Sequence, residues 1–277
     1  MNKYYDYHSH SYFSGDIPAG RGSSVREMCL SAIEKGVAEL AVTDHCDIDG
    51  IIDGYFKPLD HEAVLAEILA AREEFRGRLK LLHGIELGQG IHKPKEASEL
   101  LEKYGYDVVL GSVHAVRGII DFADTDLISL SKNERIALWE RYLAEMLEML
   151  EWGKFDILTH ITYPKRYFLK QGITDFPDIA GRGKEYFEPI IKKVIEKGFT
   201  LECNTSGLRQ IMGECLPNRE LFGFYYELGG RDISFGADSH NARDIAAGFD
   251  TAAEMLKSLG FKYISVFDGR QKSRIPF

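Results

Sequence analysis

No stretch of this sequence reaches the roughly 18 consecutive apolar residues that a membrane helix needs. The N-terminal Met-Asn-Lys-Tyr-Tyr-Asp has no apolar segment of the kind a secretory signal carries, so the expected location is the cytoplasm. Cysteine is scarce. Cys29, Cys46, Cys203 and Cys215 form no Cys-x-x-Cys pair, and a large intracellular chain has no need of disulfides. They are expected to be reduced and mostly buried. Excess positive charge is missing too: Lys and Arg number 34 against 43 Asp and Glu, for a net −9, and no basic cluster stands out. That disfavours long nucleic acids as partners but not a small phosphorylated substrate. Bound divalent cations would neutralise part of the acidity. No linker, low-complexity tract or block of like charge divides the chain, so residues 1–277 are expected to form one domain.

What is present is periodic. Amphipathic stretches end in glycine, a short β-rich run follows, and a polar residue closes the unit. Glu34-Lys35-Gly36 leads to Leu40–Thr43 and then Asp44-His45. Lys103-Tyr104-Gly105 leads to Val108–Leu110 and then His114. Glu196-Lys197-Gly198 leads to Thr200–Cys203 and Asn204. Gly229-Gly230 leads to Ile233–Phe235 and then Asp238-Ser239-His240. The glycines suit the left-handed position that ends a helix. Apolar spacing of three and four residues predicts helices over 59–76 (Val64, Leu65, Ile68, Leu69), 132–152, 184–197 and 255–259, with a β run at 263–267. Alternating strand and helix indicates an α/β fold with a parallel sheet. Polar residues at the ends of about seven strands favour a closed (β/α) barrel over an open sheet, which gathers its site at one switch point. Residues 164–183, rich in Pro, Gly and Asp, are expected to form a loop over the barrel mouth.

Read in order, the strand ends present a single kind of chemistry. His8 and His10 share a face by strand alternation, with Asp16 just beyond; then come His45, Glu86, His114, His160, and the pair Asp238 and His240. That is six of the nine histidines. One histidine at a strand end is more often a cap or packing residue than a ligand; the joint coincidence is not. Imidazole and carboxylate suit Zn²⁺, Mn²⁺ or Fe²⁺, and the absence of cysteine ligands argues against a closed structural zinc site. Six histidines and three acids exceed the needs of one ion, so two or three are expected, with Glu86 placed to bridge. The remaining histidines serve as a control. His61 opens a helix and is expected in solvent, His83 has the opposite parity to Glu86 and should face outward, and His92 reads as a plain loop residue. Asp44, opposite in parity to His45, reads as support for a ligand or backbone, and Cys46, beside His45, as a buried thiol.

The set His8-x-His10, Thr43-Asp44-His45, Gly84-Ile85-Glu86, Gly111-Ser112-Val113-His114, His160 and Asp238-Ser239-His240 resembles the motifs of the PHP (polymerase and histidinol phosphatase) family across nearly the whole chain. The resemblance implies a distorted (β/α)7 barrel with a trinuclear centre. One ion would take His8, His10, Glu86 and Asp238. A second would share Glu86 and add His114 and His160. The third would take Asp16, His45 and His240. Some members place a histidine where this chain has Asp16. In length and layout the chain is most similar to the stand-alone histidinol-phosphatases of histidine biosynthesis. Arg166 and Arg209, each just past a strand end, are rigid donor forks suited to phosphate oxygens.

The expected reaction is hydrolysis of L-histidinol phosphate. Two of the three divalent ions (Zn, Mn or Fe) would activate a bridging water, while the other ion and the two arginines stabilise the phosphoryl oxygens. Asp47, Asp49 or Asp53 at the mouth are candidates to attract a cationic substrate, or else a solvated loop. Two other chemistries share the constellation: phosphoesterase action on a nucleoside phosphate or short oligonucleotide, and hydrolysis of a C–N bond as in related amidohydrolases. The latter leaves Arg166 and Arg209 without a task. A non-catalytic metal-binding barrel is disfavoured by an open mouth lined with ligands.

Overall fold

The computed structural model describes residues 4–175 and 183–277. Eight parallel strands among them run in order around a barrel: β1 (Tyr4–Asp6), β2 (Val37–Val42), β3 (His45–Asp47), β4 (Lys80–Gly88), β5 (Val108–Ser112), β6 (Ile157–Leu158), β7 (Thr200–Asn204) and β8 (Ile233–Gly236). They fill seven positions. Both β2 and β3 pair with β4, Glu39–Val42 against Lys80–His83 and His45–Asp47 against Glu86–Gly88, so Thr43 and Asp44 form a jog within one strand. The expected distorted (β/α)7 barrel is the fold.

The ring closes beyond the ends of β1 and β8. Tyr7 N donates to Phe235 O at 3.0 Å, Asp238 N to His8 O at 2.8 Å, and His10 N to Ser239 O at 2.8 Å. The segments that complete the barrel are therefore the two that carry His8, His10, Asp238 and His240.

Helices fill the connections: α1 (Val25–Glu34), α2 (Ile48–Ile52), α3 (His61–Glu74), α4 (Pro94–Tyr104), α5 (Lys132–Trp152), α6 (Lys165–Lys170), α7 (Lys184–Lys197), α8 (Arg219–Glu227) and α9 (Phe249–Ser258). Ser24 with Glu27 and Ser131 with Glu134 form capping boxes that satisfy the first amides of α1 and α5. The Asp60 side chain accepts from Ala63 N at the start of α3. Gly105 and Gly198 end α4 and α7 with φ of 56° and 72°, the left-handed geometry that their spacing predicts. α5 and α7 span the residues expected from apolar periodicity. α3 departs in one respect: Val64 and Ile68 are buried, but Leu69 is 53 % exposed. α9 starts six residues ahead of the Met255 at which the periodicity begins. Part of the loop expected at 164–183 is helical, as α6; its residues 176–182 lie outside the described residues. No helix among the described residues is long and apolar enough to cross a membrane.

The β run at 263–267 does not enter the barrel. As β9 (Tyr263–Asp268) it turns at Gly269 and Arg270, both with positive φ, and pairs antiparallel with β10 (Gln271–Pro276). The hairpin seals the N-terminal end of the barrel. Arg270 N donates to Asp107 O at 2.7 Å, and its guanidinium forks onto Asp156 at 3.0 Å. Lys272 and Arg274 meet Asp232 at 2.8 and 2.6 Å. These partners immediately precede β5, β6 and β8. Phe267 is buried edge-on against Tyr7, ring centroids 5.5 Å apart, and its N donates to the Tyr7 hydroxyl oxygen at 2.9 Å. Truncating so large a buried ring removes its transfer energy and leaves a cavity. Phe267→Ala should lower the unfolding free energy by about 3–5 kcal/mol in urea denaturation. An unchanged midpoint would show that the hairpin does not hold the barrel floor.

Candidate metal centre

The site is built around Glu86, fully buried near the C-terminal end of β4. Its Oε1 lies 3.1 Å from His114 Nε2 and 2.9 Å from His160 Nε2. Its Oε2 lies 3.2 Å from His8 Nε2, 3.6 Å from His10 Nε2 and 3.1 Å from His45 Nδ1. Asp238 Oδ1 is 3.4 Å from His10 Nε2 and 3.9 Å from His8 Nε2. Asp16 Oδ2 is 2.6 Å from His240 Nε2 and 3.7 Å from His45 Nε2. All nine residues anticipated from the strand ends thus converge on one locus at the barrel mouth.

Four buried atoms there have no hydrogen-bond partner: His8 Nε2, His10 Nε2, His45 Nδ1 and Glu86 Oε2. Buried polar atoms are normally satisfied, and these four all point inward at one another. A tetrahedral ion about 2.0–2.2 Å from nitrogen and oxygen ligands places those ligands about 3.4 Å apart. The observed separations of 3.2–3.9 Å between His8, His10, Glu86 and Asp238 fit that spacing better than a hydrogen-bonded network. The donor set, imidazole with carboxylate and no thiolate, is that of borderline to hard divalent ions. These residues can hold metal.

Electrostatics agree. Burial would raise the Glu86 carboxyl, but the facing imidazoles of His45, His8 and His114 outweigh it and hold it well below the usual carboxylate range. Burial, then repulsion from His240 and His45, pushes His10 down to about 3. So many imidazoles cannot all take protons in one dry pocket. They can all face cations.

A surrounding set of contacts aims these rings. His8 Nδ1 is 2.6 Å from Glu202 Oε1, and His160 N donates to Glu202 Oε2 at 2.8 Å. One carboxylate on β7 therefore steers two histidines from two other strands. Its approach requires Gly236: a Cβ there would stand 2.1 Å from Glu202 Oε1 and 2.6 Å from His8 Cβ. Ser112 Oγ donates to Glu86 Oε1 at 2.6 Å, and Asp47 Oδ1 takes His114 Nδ1 at 2.7 Å. Asp238 holds φ 49°, unfavourable for a residue with a side chain, while Ser206 Oγ and Asn204 Nδ2 donate to its Oδ2 at 3.1 and 3.3 Å. Asp44 faces away from the centre and accepts from Ser11 N and Oγ at 2.6 and 2.7 Å, fixing the chain just after His10. Glu202 was not anticipated as a site residue. The signal available was a carboxylate inside the β run 200–204, sharing strand parity with Asn204.

A cavity of about 390 Å³ opens above the centre, lined by Asp16, His45, His114, Asp121, Tyr163 and Tyr167. Arg166 lies 3.7 Å from Asp238 Oδ2 and is buried beneath this mouth, its guanidinium over the rings of Tyr163 and Tyr167 and its Nε without a partner. Arg209 is exposed, and its Nη2 donates to Ala237 O at 2.7 Å. It braces the residue before Asp238. Of the candidate aspartates, Asp47 lines this cavity, but Asp49 and Asp53 line a different one and pair with His92 and Lys93 at 2.6 and 2.7 Å. His92 is accordingly no plain loop residue. His61 is only partly exposed, its Nδ1 2.9 Å from the Tyr106 hydroxyl, and His83 packs on Tyr106 away from the centre. All four cysteines are free and buried.

The family model of the PHP domain matches residues 6–206. A protein named probable histidinol-phosphatase from Clostridium acetobutylicum is 28% identical over 261 residues, covering 93% of this chain and 94% of that one. A histidinol-phosphatase from Lactococcus lactis is 28% identical over 268 residues, covering 95% and 94%. Among solved structures, histidinol phosphate phosphatase from Lactococcus lactis, complexed with zinc, L-histidinol and phosphate, superposes with a TM-score of 0.81 at 26% identity, covering 98% of this chain and 99% of that one. With the barrel, the converging histidines and carboxylates, and a family match over most of its length, the chain belongs to the PHP domain family.

Proposed function

We propose that this protein is a metal-dependent phosphomonoesterase that hydrolyses L-histidinol phosphate to L-histidinol and inorganic phosphate. The observation that carries the reading is the cluster of partnerless buried ligand atoms around Glu86, set beneath a cavity walled by Tyr163 and Tyr167, the two rings against which Arg166 lies with its Nε unpaired. The substrate follows from the relatives, one of them a structure complexed with zinc, L-histidinol and phosphate at 26% identity over nearly the whole chain. The histidine-biosynthesis setting, a cytoplasmic location and the action of residues 1–277 as one barrel unit belong to the same proposal.

Three ion positions are assigned: His8, His10, Glu86 and Asp238 for the first, Glu86, His114 and His160 for the second, and Asp16, His45 and His240 for the third. Zn²⁺, Mn²⁺ or Fe²⁺ bound there supplies an activated water near neutral pH and charge stabilisation at phosphorus. The residues of the chain do the rest. Glu202 and Asp47 keep His8 and His114 in the tautomer that turns Nε2 inward. Arg166 supplies a rigid donor fork to phosphoryl oxygens, its cation steadied over Tyr163 and Tyr167. Arg209 adds a second, more exposed donor past the end of β7. Tyr163 and Asp121, their oxygens 3.0 Å apart, wall the cavity on the side where the rest of the substrate would lie.

Phosphate release with Mn²⁺ or Zn²⁺ supplied should favour histidinol phosphate over nucleoside monophosphates by at least about 100-fold in kcat/KM, roughly 2.7 kcal/mol. Chelation should abolish it. A nucleotide preference would overturn the substrate, and no cleavage of any phosphate ester would overturn the reaction. Arg166→Ala should lower kcat/KM by about 10²–10³-fold, the scale of losing one charge-stabilising donor, with metal content unchanged by elemental analysis. Arg209→Ala should cost less, because that side chain is already committed to Ala237 O. Unchanged kinetics in both would remove the phosphate clamp.

A further inference from the structure

A polar chain leads from His114 to a second cavity, of about 440 Å³, on the far side of α2. Its hub is Gln89, the residue after β4 and 1% exposed. Gln89 sits at φ 43° and ψ 42°, a left-handed conformation unfavourable to a residue with a side chain. Four contacts hold it there. Its N donates to Ser112 O at 2.9 Å, and its Oε1 accepts from His114 N at 2.9 Å. Its Nε2 faces Asp47 Oδ1 at 3.3 Å and Asp49 Oδ1 at 3.4 Å. The same Asp47 oxygen receives His114 Nδ1 at 2.7 Å. One amide therefore grips His114 twice, at its backbone N–H and, through Asp47, at its ring.

Beyond Asp49 the chain continues. Asp49 Oδ2 meets His92 Nδ1 at 2.6 Å, and His92 Nε2 meets Glu145 Oε2 at 2.6 Å. Burial would lower the His92 pKa, but the bonds to Asp49 and Glu145 raise it to about 9, so the ring bridges two carboxylates as a cation. Glu145 Oε1 accepts from Arg117 N at 3.0 Å, which ties the outer end to the segment after His114. None of Gln89, Asp49, His92 or Glu145 reaches the metal centre. A buried, doubly paired imidazolium and a strained glutamine are a costly arrangement if they only fill space.

We propose that Gln89 is the positioning residue for His114, and that the Asp49–His92–Glu145 chain anchors Gln89 in its strained conformation. Without the amide, Asp47 loses a donor and the His114 backbone N–H loses its acceptor, so the ring is free to tilt. The ion held between Glu86, His114 and His160 is the one affected. Asp47 also faces His45 Nδ1 at 3.6 Å, but through Oδ2, the oxygen that Gln89 does not touch, so the ion at Asp16, His45 and His240 is affected little, and the one at His8, His10 and Asp238 less still. This inference rests on the assignment of His114 as a ligand in the proposed function.

The test is substrate-free. Chelator-stripped protein is titrated with Mn²⁺ alone against a competing fluorescent chelator, with circular dichroism reporting the fold. Gln89→Ala should weaken one site by about 10–100-fold, the usual effect of removing a contact that aims a ligand, and leave the others within about 2-fold. His92→Ala should weaken the same site by less, and the double variant should be no weaker than Gln89→Ala, because the two act in series. Should Gln89→Ala fail to fold, the near-isosteric Gln89→Glu, which sets a third carboxylate against Asp47 and Asp49, must show the same single-site loss. Equal weakening of every site, or no weakening in a folded variant, would overturn the proposal. Wild-type protein that binds no Mn²⁺ would sink the metal-centre reading itself and this inference with it. Normal Mn²⁺ binding without histidinol phosphate hydrolysis would sink only the substrate.

Discussion

One carboxylate governs this molecule. Glu86 is fully buried, and five imidazole nitrogens from four different stretches of chain stand within 3.6 Å of its two oxygens. A buried anion needs compensating positive charge. Protons could supply it only by charging imidazoles crowded together out of water, and burial, then repulsion from His240 and His45, pushes His10 down to about 3. Divalent cations would meet the same need while leaving the imidazoles neutral, in the directions in which partnerless nitrogens already point.

The fold serves this constraint at two ends. At the floor, the β9–β10 hairpin neutralises Asp156 and Asp232 with Arg270, Lys272 and Arg274, so the acids preceding β6 and β8 are satisfied far from the mouth. At the mouth, closure passes to backbone bonds between 7–10 and 235–239 in place of a regular ladder. Such a seam frees side chains on both segments to turn inward. It also demands a small residue: Gly236 admits the Glu202 carboxylate and the His8 side chain, while at the jog between β2 and β3 Gly84 leaves room for Thr43, whose Cγ2 would lie 2.6 Å from a Cβ there. The barrel is distorted where its ligands are densest.

Much of this was legible in the sequence because it is governed by period and parity. Strand alternation puts His8 beside His10, turns Glu86 inward and His83 outward, and marks Asp44, opposite in parity to His45, as support for a ligand or backbone. Helical spacing with glycine stops delimits 132–152 and 184–197. What resisted reading depends on tertiary geometry. The run 263–267 has the composition of a barrel strand, and only the turn at Gly269 and Arg270 sends it back on itself. Leu69 matches the apolar stripe of α3 but falls on its margin. A strand's parity groups Glu202 with Asn204 without telling which face meets the barrel interior. Gln89 and His92 carry no motif at all, since their roles follow from a left-handed backbone and from a helix, α5, contributed more than fifty residues later.

Arg166 and Arg209 show the same limit most sharply. Each follows a strand end by a few residues, and position alone makes them equivalent. The structure does not treat them alike. Arg166 is sunk beneath the mouth over two tyrosine rings, with Nε uncommitted. Arg209 spends its Nη2 on the carbonyl before Asp238, the residue held at φ 49°. A guanidinium that stiffens a strained backbone and one suited to receive an anion make different demands: the first needs a fixed backbone acceptor, the second an unsatisfied donor near the cluster around Glu86. Only the direction of the donors separates the two, and direction belongs to the folded chain.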